Sequence, residues 1–244
     1  MDVSDTALNE VQVLAFDVFG TVVDWCGAIA GEVSRLLPHV DGQDFARRWR
    51  AGYQPAMERV RSGELPWTRI DDLHALILED VLAGFGVHHL NTEEKADLNR
   101  AWHRLRPWPE AIEGLHRLRK DYVITPLSNG NISLLTHMAK RAGLPWDCVL
   151  SAEIFRRYKP HPATYLGVAD LFAVRPDQVM LVAAHHEDLA AARACGLLTA
   201  YVERPFEYGA DQPPKDVSPK AQNTLHARDF LVLADQLDAV RAAA

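Results

Sequence analysis

Residues Val11 to Trp25 read VQVLAFDVFGTVVDW. Val11, Val13, Leu14, Ala15 and Phe16 form a short apolar run rich in branched side chains, and such a run bounded by a turn reads as a buried strand of a parallel sheet. The run stops at Asp17, with Gly20 and Thr21 in the following loop. Open α/β sheets place ligands beyond the carboxyl ends of their strands, so a carboxylate here stands where chemistry is expected. Taken alone, an Asp at a strand-to-loop junction is more often a cap for the next element than a catalytic group. The rest of the chain has to decide between the two.

Working outward, residues 25–107 carry helical periodicity. Ala28, Ile29, Val33, Leu36 and Leu37 give one helix, stopped by Pro38. Phe45, Trp49, Tyr53 and Met57 recur every fourth residue and predict a second, with Arg47, Arg48, Arg50, Arg59 and Arg61 on its other positions. A third helix is expected from about Thr68 to Phe85 and a fourth from about Thr92 to just before Pro107, with no strand signal between. From Pro109 the pattern alternates. Helices are expected at Pro109–Leu118, Ile132–Ala142, Pro162–Phe172 and Glu187–Cys195, and strands at Tyr122–Leu127, Val149–Leu150, Val179–Ala183 and Thr199–Val202. Arg204–Thr224 reads as loop, Phe230–Leu233 as an edge strand, and a closing helix follows. Alternating strands and helices imply an α/β fold with a doubly wound parallel sheet. The expected division is a Rossmann-like core of residues 1–24 and 108–244 with an inserted all-helical segment, 25–107.

The composition narrows the function. With 48% hydrophobic residues over 244, the chain can bury a full core. It has no apolar run long enough to span a membrane, and its acidic, polar first residues do not read as a signal peptide. Cys26, Cys148 and Cys195 have no metal-like spacing and read as reduced thiols of a cytoplasmic protein. A net charge of -7 argues against nucleic acid as a partner.

Four strand ends carry polar residues: Asp17–Thr21, Ser128-Asn129, the loop with Lys159, and His185–Asp188. Strand ends of one parallel sheet converge, so these groups can share a pocket. Two Asp and a Lys suggest covalent carboxylate catalysis: one carboxylate attacks, the ammonium keeps it ionised, and the other handles water.

With these residues in place, Phe16-Asp17-Val18-Phe19-Gly20-Thr21-Val22-Val23-Asp24 resembles the first motif of the haloacid dehalogenase superfamily. Ser128-Asn129 resembles the second, Lys159-Pro160 the third, and Val179–Ala183 with Asp188 the fourth. The helical segment matches the cap of one branch. Most members are Mg²⁺-dependent phosphatases with a second Asp two residues after the nucleophile. Phe19 holds that position here and cannot transfer a proton. An aromatic residue there resembles the L-2-haloacid dehalogenases, which need no metal or other cofactor.

That resemblance implies Asp17 as nucleophile, with Lys159 and Asp188 beside it and Thr21 hydrogen-bonding near its carboxylate. Arg50 would receive the halide with Asn129, Ser128 would hold the substrate carboxylate, and Tyr165, at the family's spacing from the lysine, would join Phe19 and His185 in binding the substrate. The implied partners are a small 2-haloacid and a halide ion, and the family suggests a homodimer. Each residue has a plainer reading: Arg50 as one more exposed arginine, Ser128-Asn129 as a turn, Tyr165 as a core aromatic, Thr21 and Asp188 as helix-start residues. The fourth motif departs from the best-known members, with Ala183 and His185 in place of a serine and an asparagine. His185 either tightens the pocket for a small substrate such as fluoroacetate or simply replaces the amide's hydrogen bond; His186 is expected to face solvent. A phosphatase of the same superfamily and a non-catalytic anion-binding relative are the rival readings.

Overall fold

A computed structural model describes residues 5–243 of the chain. After a short helix α1 (Asp5–Asn9), strand β1 (Val13–Phe16) enters the centre of the molecule. All four of its side chains are at most 1% exposed. A strand covered by helices on both faces has no solvent side, which is why its sequence is continuously apolar. The chain then forms β2 (Val23–Asp24) and enters five helices: α2 (Trp25–Leu36), α3 (Gly42–Ala51), α4 (Tyr53–Arg61), α5 (Ile70–Gly84) and α6 (Thr92–Asn99). Asp24 and Asp41 cap α2 and α3 by accepting from backbone N–H groups of their first turns. Asn91 and Glu94 form a reciprocal capping box at α6, so the cap precedes Thr92.

Two details differ from the periodicity. The helix expected from Phe45 to Met57 is two helices, α3 and α4, parted at Gly52. There α5 approaches so closely that a Cβ on residue 52 would lie 2.4 Å from Ile77 Cγ2. The fourth helix does not continue to Pro107. It passes into a 3₁₀ turn (Arg100–Arg104) and then β3 (Arg106–Pro107), which pairs antiparallel with β2. This ribbon stands where the helical segment leaves the sheet and returns to it. Its two residues are too few to leave a strand pattern in sequence.

The remainder winds about β1: α7 (Ala111–Leu118), β4 (Val123–Ser128), α8 (Ile132–Ala142), β5 (Leu150–Ser151), α9 (Ala152–Phe155), α10 (Pro162–Phe172), β6 (Val179–Ala183), α11 (His186–Ala194), β7 (Leu198–Val202), β8 (Leu225–Ala227) and α12 (Phe230–Ala242). The six-stranded sheet runs β5-β4-β1-β6-β7-β8 and every pair is parallel. The carboxyl ends of β1, β4 and β6 therefore lie side by side. The edge strand expected at Phe230–Leu233 is instead the first turn of α12, and Leu225–Ala227 supplies the edge. Asp229 accepts from Val232 N and starts the helix, and Phe230, Leu233, Ala234 and Leu237 are all buried. That i, i+3, i+4, i+7 spacing overrides the local β-like run. Among the described residues no helix is long and apolar enough to cross a membrane.

Candidate active site

Asp17 follows β1, and its backbone N–H donates to Val182 O across the sheet (3.0 Å), which fixes where its side chain starts. The residue is 7% exposed, so every ionic neighbour counts. Thr21 Oγ1 donates to Asp17 Oδ2 at 2.7 Å and accepts from Ala184 N at 2.9 Å, linking the ends of β1 and β6. Lys159 Nζ lies 3.0 Å from Asp17 Oδ1 and 2.5 Å from Asp188 Oδ2. Tyr165, on α10, donates its hydroxyl to Asp188 Oδ1 at 2.6 Å. Two acids thus share one ammonium. Burial works against the charged forms of both Asp17 and Lys159. The attraction outweighs it, holding the Asp17 carboxyl far below the usual carboxylate range and the Lys159 ammonium above its ordinary value.

The second oxygen of Asp17 has a different set of partners. His185 Nδ1 lies 3.0 Å from Oδ2, while its Nε2 faces both oxygens of Glu207 at 2.9 and 3.1 Å. Glu207 also accepts from Lys215 Nζ (2.7 Å) and Trp25 Nε1 (3.2 Å). Burial disfavours the His185 cation, yet Glu207 and Asp17 raise its pKa to about 9. Burial likewise opposes the Glu207 carboxylate, but His185 and Lys215 lower it to about 2. Acidic and basic side chains therefore alternate across the site in the order Asp188, Lys159, Asp17, His185, Glu207, Lys215.

The loop that brings Glu207 is pinned to the β1 end. Arg204 is buried and donates to Thr21 O (2.8 Å) and to Glu110 (2.7 Å). Gly20 has φ +88, and a Cβ on it would lie 2.2 Å from Glu207 Oε1. Both features require glycine there.

The four strand ends surround a cavity of about 820 Å³, lined on the sheet side by Asp17, Phe19, Ser128, Asn129, Lys159 and His185. Arg50 and Tyr53 line it from the helical side. The Arg50 guanidinium sits over the Tyr53 ring at 4.2 Å and near Trp25 at 5.7 Å. Its Nη1 is buried with no hydrogen-bond partner among the described residues, so Arg50 is not one more solvated arginine. Phe19 is 3% exposed and packs edge-on against Trp102 at 5.8 Å. Asn129 accepts from Lys159 N at 2.7 Å, and its Nδ2 is 3.5 Å from Met57 Sδ. Ser128 Oγ accepts from Gly130 N at 3.1 Å. That contact makes the turn the bland reading offered, with the residue still on the cavity wall.

Asp17, Thr21, Lys159, Asp188, Tyr165 and His185 thus form one connected network, while Phe19, Arg50, Ser128 and Asn129 stand on the surrounding walls. His186 does not point freely to solvent. It stacks on Tyr201 at 4.2 Å, with both ring nitrogens buried and unpartnered among the described residues. Glu207, Lys215, Tyr53 and Arg204 were not legible as site residues. Glu207, Lys215 and Arg204 lie in a stretch whose Pro, Gly and Asp content reads only as loop, and Tyr53 reads as a core position. The aromatic wall also includes His74, stacked on Trp102 at 4.2 Å, whose pKa burial lowers to about 3.

The family model for haloacid dehalogenase-like hydrolases matches residues 11–196. The match ends before Glu207 and Lys215. In solved structures, the chain is similar to the defluorinating L-2-haloacid dehalogenase Rha0230, with 44% identity and a TM-score of 0.90, covering 93% of this chain and 95% of that one. It is similar to the L-2-haloacid dehalogenase PA0810 at 44% identity and TM-score 0.88, over 93% and 99% of the two chains. An (S)-2-haloacid dehalogenase of Xanthobacter autotrophicus is 28% identical over 203 residues, 80% of this chain and 76% of that protein. The connected carboxylates, the parallel sheet that gathers them and the extent of these matches agree: the chain belongs to the haloacid dehalogenase-like hydrolases.

Proposed function

We propose that this protein hydrolyses the carbon–halogen bond of short L-2-haloacids, haloacetates and fluoroacetate among them, to 2-hydroxyacids through an ester on Asp17. The observation that supports this best is a buried carboxylate held ionised by Lys159 and His185, with Phe19 where a phosphatase would need a second acid. A carboxylate kept ionised can act as a nucleophile, and a carbon bearing a halide needs no protonation of its leaving group, so the acid missing at Phe19 is not required. Relatives whose names describe dehalogenation of 2-haloacids support the same substrate class.

The geometry supports the following roles. Asp17 attacks the halogen-bearing carbon in line and inverts it. Arg50, with an unused buried N–H, and Asn129 receive the halide. Ser128 and the N–H groups of its turn hold the substrate carboxylate, and Phe19 shapes the wall. Water oriented by Asp188 then attacks the ester carbonyl, while Lys159 balances the two acids and Tyr165 fixes Asp188. Closure of segment 25–107 over the sheet as a cap excludes bulk water from the first step and strengthens these ionic contacts. The donor set suits no Mg²⁺, which wants several oxygen ligands. Lys159 and His185 already take both Asp17 oxygens, and the Phe19 side chain offers none.

The test is halide release in EDTA from chloroacetate, fluoroacetate and each enantiomer of 2-chloropropionate. The expected result is release from the acetates and the L enantiomer only, with D-lactate as the product of inversion. Halide from neither chloroacetate nor L-2-chloropropionate, together with Mg²⁺-dependent turnover of phosphate esters, would overturn the reading.

A further inference from the structure

We infer that Glu207 is a positioning residue for the second half of this reaction: it holds His185 as a cationic donor to Asp17 Oδ2, the oxygen that takes up charge when water attacks the ester. The inference rests on the ester mechanism proposed above and goes beyond it, because it separates the two oxygens of Asp17 and assigns a loop residue to one step.

The two oxygens have unequal company. Among the described residues Oδ1 has one partner, Lys159 Nζ at 3.0 Å. Oδ2 has two, Thr21 Oγ1 at 2.7 Å and His185 Nδ1 at 3.0 Å. An oxygen already engaged by two donors is the poorer nucleophile and the better-prepared oxyanion. Oδ1 therefore forms the bond to carbon as the halide departs with its electron pair. Water then adds to Asp17 Cγ, and the carbonyl electron pair moves onto Oδ2, facing both donors. On collapse that pair re-forms the carbonyl and the Cγ–Oδ1 bond breaks. Oδ1 leaves as the product hydroxyl, taking one proton of the water. The second water proton is released as Asp17 returns to its carboxylate, now carrying the water oxygen.

Geometry alone fixes the state of His185. Both ring nitrogens face carboxylate oxygens, which accept and do not donate, so both must carry protons. Asp17 at the end of β1 and Glu207 from the loop contact the ring and Lys215 pairs with Glu207, while Lys159, Glu187 and Asp188 on the sheet side and Arg47, Arg50, Glu58 and Arg61 on the helical side line the same cavity. Once Asp17 is esterified it is neutral, and Glu207 is then, among the described residues, the one carboxylate in direct contact with the ring. Lys215 and the Trp25 indole N–H hold Glu207 in turn, and it is fully buried. The raised pKa of His185, about 9, agrees with this arrangement.

The experiment is rapid-quench turnover of chloroacetate by the wild type, Glu207→Gln, His185→Asn and the double variant, with intact-mass analysis of the quenched protein. For the wild type, halide and glycolate should appear together at neutral pH. Glu207→Gln should give a burst of about one halide per site, then glycolate formation slower by roughly 10- to 100-fold, less than loss of a whole oxyanion donor. The carboxymethyl ester should be visible on the protein, and the alkaline limb of kcat should move down by at least one pH unit. In the His185→Asn background, where the donor is a neutral amide, Glu207→Gln should add little. An equal loss in both backgrounds, or slower turnover with no ester and an unmoved alkaline limb, would show that Glu207 merely anchors the loop and overturn the inference. If Glu207→Gln does not fold, the wild type above its alkaline limb carries the test. Ester must accumulate there and glycolate lag, with no such limb in His185→Asn; a wild type that shows neither refutes the inference. Absence of halide from the wild type removes the ester mechanism itself, a result distinct from these.

Discussion

The two sides of Asp17 are built alike and differ in one respect. On the Oδ1 side a cation, Lys159, is shared between Asp17 and Asp188; on the Oδ2 side a cation, His185, is shared between Asp17 and Glu207. The ammonium stays charged throughout any ordinary working range, because its neighbours raise a pKa that is already high. The imidazolium depends on its partners, since an unperturbed histidine is mostly neutral at pH 7. One side is a fixed counter-charge and the other is conditional on a buried carboxylate from a loop. The difference teaches that a histidine at the end of β6 stays charged only with an acid at each ring nitrogen, the second of which Glu207 supplies.

The comparison can be broken in order of expected effect. Asp17→Asn removes the nucleophile from both sides, and halide release should fall by on the order of 10⁶, as when other covalent nucleophiles are deleted; a stopped-flow halide assay checks it. Lys159→Met leaves Asp188 without its cation and Asp17 with His185 alone. Breaking a buried pair this way costs about 3–5 kcal/mol of stability, read as a lower denaturant midpoint along with lost turnover. His185→Asn should be milder on both counts, because a neutral amide can still donate to Oδ2. Arg50→Ala should slow halide release by roughly 100- to 1000-fold, by analogy with loss of a charge-stabilising donor, while leaving the network about Asp17 in place. A loss below tenfold would place halide elsewhere.

Stability against pH sharpens the comparison without any substrate. His185 has its pKa raised from 6.5 to about 9 in the fold, so its contribution is whole below pH 6.5 and is lost as pH rises through about 9. Glu207 is lowered from 4.5 to about 2, so its contribution is whole above pH 4.5 and is lost as pH falls through about 2. Thermal melting should therefore be flattest between about pH 4.5 and 6.5. The decline from pH 6.5 to 9 should be reduced in His185→Asn, whereas the acid decline should persist because Lys215 still pairs with Glu207. The smallest change tests the seam between the two sides. Gly20→Ala must adopt φ +88 and push against Glu207 Oε1, so it should lower the melting temperature by a few degrees, the scale of about 1–2 kcal/mol for a chain of this size.

Much of the first side was legible in sequence. Asp17, Lys159 and Asp188 stand at or near strand ends that a parallel sheet must gather, and a repeated apolar run followed by a polar turn marks each strand. The second side was not. Glu207 and Lys215 lie past β7 in a stretch without periodicity, and nothing local distinguishes a buried glutamate from a solvated one. Arg50 shows the same limit on a helix. Its spacing alone put it among exposed arginines and only the resemblance singled it out; in the structure its guanidinium lies beside Tyr53 and Trp25.

The sequence by itself determined the alternation of strands and helices, the helical periodicity between residue 25 and about residue 99, and the residues at the strand ends. These follow from hydrophobic period and turn chemistry, which act over a few residues. Only the tertiary structure decided the edge strand Leu225–Ala227, the break at Gly52, the ribbon of β2 with β3, and the closing of the Asp17 site by Glu207 and Lys215. Each of these depends on which distant surface a short segment meets, at a separation of 182 residues in the contact of Trp25 with Glu207 and 183 in that of Arg204 with Thr21. A buried charge is tolerated only where such a meeting supplies its partner.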